Sequence, residues 1–165
     1  MIIEITNSYC FALNYLRRMV VDVPDERMTE QAGGVVNHPA WVIGHLAFSC
    51  QKLAGEMGLH AWLMDNWEKR FGTGSVPTVE RKQYPSKTEL LEILADAQRR
   101  VLDRLRAVGE EGLKKPLPDV HHRVLFPTLG HAILHILTVH AALHVGQVTV
   151  WRRAVGLGPL REVFV

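Results

Sequence analysis

Proline and glycine divide this chain into four long stretches of helical periodicity and leave too little between them to build a sheet. The first stretch covers about residues 6–21, with Leu13, Leu16, Met19 and Val20 near one stripe. Pro24 ends it, because the residue before a proline is pushed out of the helical region. The second opens at Asn37-His38-Pro39, with Asn37 or His38 at the cap and Pro39 in the first turn, where a missing N–H costs nothing. It continues through Trp41, His45 and Leu53 to Gly58, and a shorter helix is expected over residues 61–70. Ser86-Lys87-Thr88-Glu89 is a capping box for the third, which runs through Leu90, Leu94, Val101 and Leu105 to Gly109. Thr128 caps the fourth, which stops at Gly156 and Gly158. The apolar runs 123–126 and 162–165 are too short and isolated for strands. The expectation is an all-α fold, a four-helix bundle with long connections at 72–85 and 115–127, in one domain spanning residues 1–165. Up-down-up-down order is the default, and the long connections also permit a crossover.

Composition narrows the function classes. With 47% hydrophobic and 22% charged residues the chain is globular rather than disordered. Nineteen Lys and Arg against 17 Asp and Glu leave +2, too balanced for a nucleic-acid binder. Cys10 and Cys50 make no disulfide framework, which points to a reducing, cytoplasmic setting. No run of 18 apolar residues predicts a membrane span, and the first ten residues lack a signal peptide's pattern.

The unusual feature is nine histidines, four of them on the last helix. At about 100° per residue, His140 and His144 share one face one turn apart, and His131 and His135 form a second pair on the opposite side. Ile133, Leu137, His140, His144, Val148 and Trp151 make the stripe expected to face the core. Two imidazoles are too few for a catalytic metal site, which has three protein ligands and an open position. His45 is the best third, on a face with Trp41, Ser49, Lys52 and Glu56. Ser49 and Glu56 suit a wet cavity better than a dry core. The competing reading is buried histidine satisfied by hydrogen bonds. His140 is followed by Ala141, so the built-in base of an HExxH protease is missing. Zinc fingers, serine-hydrolase elbows and phosphate loops are absent too. His38 is expected at a helix start, His60 near a helix end, and His121-His122 in a loop, either solvated or at the rim of the site.

Asn37-His38-Pro39-Ala40-Trp41-Val42-Ile43-Gly44-His45-Leu46-Ala47 resembles the second-helix signature of the DinB-like family, and His140-Ala-Ala-Leu-His144-Val-Gly146-Gln147 with Trp151-Arg152-Arg153 resembles its last-helix signature. The resemblance implies a four-helix bundle, often a homodimer, with a divalent metal held by three histidines, here His45, His140 and His144. Many relatives have Arg or His where this chain has Val145, a side chain expected to turn away from the metal. Some relatives are transferases or isomerases using bacillithiol, mycothiol or glutathione. One divalent ion (zinc, nickel or iron) and a low-molecular-weight thiol attacking a small electrophile are therefore expected. Ser49 and Arg152 are candidate substrate contacts, Arg152 for an anionic group. A non-enzymatic metal-binding stress-response bundle and a metal-dependent hydrolase are the competing readings. The face bearing His131, His135, Ala142 and Gly146 is the expected dimer surface, away from the metal. Residues 72–85, with Val79 and Tyr84, are either a lid over the site or a mobile loop.

Overall fold

The computed structural model describes residues 1–160, so the run 162–165 lies outside the described residues. They form five helices and no strand: α1 (Ile2–Val20), α2 (Pro39–Glu56), α3 (Trp67–Phe71), α4 (Lys87–Leu113) and α5 (Leu129–Ala154). The caps are those the local chemistry dictates. His38 Nδ1 accepts from the Trp41 N–H at 3.2 Å, Ser86 and Glu89 close a reciprocal capping box, and Thr128 accepts from the His131 N–H. Helix α1 starts four residues before its predicted position, and α3 occupies only the end of the predicted 61–70 segment. Gly109, at φ +66°, kinks α4, which then continues to Leu113.

Long-range contacts give the order of the four longer helices. Helix α1 packs on α5 and α4, while α2 packs on α4 and α5. Consecutive α1 and α2 therefore lie diagonally apart, so the default up-down-up-down order is replaced by a crossover. Directions follow from the ends. The Met1 amino group meets Glu110, and Lys87 Nζ donates to the carbonyls of Val20 and Val23, so α1 and α4 are antiparallel. Arg152 binds Asp22 and the Met19 carbonyl, so α1 and α5 end together and run parallel. Asn37 meets Gln147, and His45 meets His140, so α2 and α5 are antiparallel.

One continuous core joins all five helices, with Leu13, Leu16, Ile43, Trp67, Phe71, Leu94, Leu105 and Trp151 among its buried members. Helix α5 is long and apolar enough to cross a membrane by length and composition alone. Its Ala132, Ile133, Leu137, Ala141, Val145, Val148 and Trp151 are instead buried in this core.

Helix α5 departs from regularity where the histidines lie. Residues His135–His140 form a π turn, whose i→i+5 bonding takes more residues per revolution. Each residue then advances by a smaller angle, and the 3.6-residue wheel overstates the rotation between His135 and His140. His135 does not lie far from the triad: its charge, when present, acts on His140, and its ring packs on Phe126 at 5.1 Å. The expectation of two histidine pairs on opposite faces is corrected for His135, while His131 stays exposed at the first turn.

Candidate metal centre

His45 sits in the second turn of α2, and His140 and His144 sit one turn apart on α5 where the two helices face each other. His45 Nε2 lies 3.1 Å from His140 Nε2, which lies 3.2 Å from His144 Nε2. Among the described residues, no fourth His, Cys, Asp or Glu joins this group.

Each imidazole's other nitrogen decides what its Nε2 can do. His45 Nδ1 donates to the Phe71 carbonyl at 2.6 Å, and His144 Nδ1 donates to Gln147 Oε1 at 2.9 Å. With those protons committed, both Nε2 atoms present lone pairs. His140 Nδ1 is buried without a hydrogen-bond partner among the described residues. The lone pairs of His45 and His144 converge on His140 Nε2, and contacts this short need a shared proton or a cation between the three nitrogens. Ligand bonds of about 2.0–2.1 Å at tetrahedral angles place nitrogens about 3.3–3.4 Å apart, close to the two distances observed. The donor set therefore fits a divalent ion, with neutral imidazole suiting zinc, nickel and iron alike.

The surroundings favour neutral ligands. Burial, reinforced by the neighbouring imidazoles, pushes His140 down to about 3 and His144 to about 4, and burial lowers His45 as well. Metal ligation needs that neutral form. Trp41 stacks on His45 at 4.6 Å with ring planes 11° apart, and its Nε1–H donates to Ser75 Oγ. Phe71 comes close because residue 44 is glycine: a Cβ there would fall 2.2 Å from the Phe71 ring.

The other predicted positions divide. Ser49 is half-buried one turn beyond His45, and its hydroxyl donates to the His45 carbonyl at 2.9 Å. Arg152 is not available to a substrate. It is 3% exposed, and its guanidinium is occupied by both Asp22 carboxylate oxygens, the Met19 carbonyl and the Gly158 carbonyl. Glu56 does not face the triad but accepts the Asp119 N–H, fastening the 115–127 connection. Val145 is buried in the core, and His60, His121 and His122 are exposed. Cys50 is buried against the Tyr9 hydroxyl at 2.8 Å, and burial pushes its thiol up to about 12. Cys10 is half-buried.

The 72–85 connection is not a free loop but is fastened to the rest of the fold. Ser75 holds Trp41, the Thr78 carbonyl accepts from His38 Nε2, the Val79 carbonyl accepts from Thr29, and Arg81 pairs with Asp25. Tyr84 is buried against Phe71 and His38 while Val79 points to solvent.

Sequence reasoning took Asn37 only as a candidate cap, placed Trp41 on the His45 face without a contact, and gave no role to Gln147 or the Phe71 carbonyl. Gln147 was detectable, since i and i+3 meet on a helix and His144 is three residues before it. The Phe71 carbonyl carries no side-chain signal at all.

An all-α fold in which two facing helices converge three imidazoles defines a class of helical proteins with a three-histidine centre. The chain belongs to the DinB superfamily, whose family model matches residues 11–148. No curated protein and no solved structure matches it.

Proposed function

We propose that this chain is a four-helix-bundle metalloprotein in which His45, His140 and His144 hold one divalent ion, and that it activates a low-molecular-weight thiol for transfer to a small electrophile. The observation that supports this is the convergence of the three Nε2 atoms, two of them with their protons committed elsewhere. A divalent ion with three neutral ligands keeps its full charge and lowers the pKa of a thiol or water at its open positions.

The chain's own residues do the rest. His45 and His144 are oriented by fixed acceptors, and burial keeps all three imidazoles neutral so that they compete for no proton. Trp41 shields one side of His45, and Ser49 retains oxygen lone pairs for a substrate donor. In the transfer, the thiolate sulfur forms the new bond to carbon, the leaving group departs with its electron pair, and the thiol proton goes to solvent. We further infer a homodimer through the outward face of α5, where Val139, Leu143 and Val150 are exposed beside Ala142 and Gly146.

Metal analysis of untagged protein purified without added metal tests the first part. One divalent ion per chain is expected, and His45→Ala, His140→Ala and His144→Ala should each remove most of it while the helical spectrum remains. Parental metal content in His140→Ala would overturn the triad. Thiol-dependent consumption of an alkylating electrophile tests the second part. Turnover with water alone would make the protein a hydrolase, and none with either would leave a non-catalytic metal bundle.

A further inference from the structure

We propose that Asn37 and Gln147 are positioning residues that set the tautomer of His144 and so decide whether its Nε2 can meet a cation. The inference rests on the metal reading of the triad.

Asn37 lies in the half-buried segment just ahead of α2, and Gln147 lies one turn beyond His144 on α5. Gln147 Oε1 accepts twice, from Asn37 Nδ2 at 3.0 Å and from His144 Nδ1 at 2.9 Å. A carboxamide alone would serve either form of the imidazole, because its oxygen and its NH2 group occupy nearly the same shape. In the observed arrangement Asn37 turns its NH2 group, rather than its oxygen, toward Gln147. Its NH2 group only donates, so it holds the Gln147 oxygen, and that same oxygen takes the His144 Nδ1 proton. The lone pair of His144 is then on Nε2, the atom 3.2 Å from His140 Nε2.

The three imidazoles are thus supported unequally. His45 is oriented by a backbone carbonyl, that of Phe71. His140 Nδ1 has no hydrogen-bond partner among the described residues. His144 alone depends on side chains, and one of those belongs to a different element. Outer partners of this kind orient metal-binding histidines and raise their basicity.

The discriminating variant changes one atom. In Asn37→Asp the residue at 37 can only accept, so it draws the Gln147 NH2 group. That group also faces His144, whose Nδ1 must then accept, and the proton moves to Nε2. Gln147→Leu removes the acceptor altogether. Gln147→Glu keeps an acceptor for both neighbours and serves as the rescue.

Two readouts test this. In metal-free, 15N-histidine-labelled protein, long-range proton–nitrogen correlation reports which nitrogen of His144 carries hydrogen. The parent and Gln147→Glu should show Nδ1–H, and Asn37→Asp should show Nε2–H. In zinc titrations against a chromophoric chelator, Asn37→Asp and Gln147→Leu should weaken affinity about 10–100-fold, while Gln147→Glu stays at the parental value. An unchanged tautomer in Asn37→Asp, or parental zinc affinity in Gln147→Leu, would overturn the proposal. If the parent itself binds no zinc, the metal reading fails, and the tautomer measurement still decides the role of the amide pair.

Discussion

At the scale of single residues, Gly44 and His38 do most to define the ground around the triad. Gly44 admits the Phe71 ring, and the Phe71 carbonyl orients His45. Gly44→Ala should cost about 1–3 kcal/mol by overpacking and weaken metal binding as well. Gly55, on the same helix with nothing within 4 Å of an added Cβ, is the control. Gly55→Ala should raise stability by up to about 1 kcal/mol through helix propensity, leaving the metal untouched. Melting curves and chelator titrations on the pair would separate the two effects. His38 is fully buried, caps α2 through Nδ1 and grips the Thr78 carbonyl through Nε2, and burial pushes it down from 6.5 to about 4. The unfolded chain takes up a proton below 6.5 that the folded chain refuses. The associated stability is therefore complete above pH 6.5 and is lost as pH falls toward 4. Between those limits the slope approaches about 1.4 kcal/mol per pH unit. In His38→Asn, where asparagine can still cap, denaturation midpoints should depend on pH more weakly than in the parent by that one proton. Equal slopes would show that His38 titrates normally.

At the scale of elements, the π turn of α5 is the device that sequence patterns did not reveal. The starts of α2, α4 and α5 were legible because caps are local: His38-Pro39, Ser86 with Glu89, and Thr128 each satisfy backbone groups within a few residues. The closeness of His140 to His144 was legible for the same reason, being one turn of helix. A wider turn has no comparable signature, so the position of His135 relative to His140 could not be read from spacing. Nor could the fastening of 72–85, which depends on Asp25, Thr29 and His38 from elsewhere in the chain. Arg152 was misjudged because a basic residue in a last turn looks solvated, whereas here α1 ends beside it and supplies Asp22. Deleting Val139 from the π turn should restore regular helix and keep the residues on either side in nearly the same phase, since one residue fewer at about 100° each covers about the same angle as the wider turn. Helical content should persist, His135 should stay on the side of His140, and zinc affinity should remain close to the parental value. Circular dichroism with a zinc titration checks this, and lost affinity with helical content kept would show that the wider turn itself sets the triad's geometry.

At the scale of the whole molecule, the face of α5 turned away from α2 carries the inferred self-association. Among the described residues nothing lies within 4 Å of a Cβ added at Gly146, which is exposed on this face, so Gly146→Trp places its bulk at the inferred interface. It should shift sedimentation toward the monomer while metal content is kept, and an unchanged profile on dilution would count against the dimer. The crossed order of the helices bears equally on how the molecule comes into being. His45 and His140 are 95 residues apart, and α5 also covers α1. At about 5–20 residues per second, a ribosome needs about 5–20 s to pass from one imidazole to the other. Throughout that interval the sides of α1 and α2 that await α5 have no native cover, so the nascent chain passes through a stage with a large sticky surface and an incomplete centre. On the proposed metal reading, capture of the ion would be deferred until translation has delivered the fifth helix, and a chain stalled before Leu129 would hold only one of the three imidazoles.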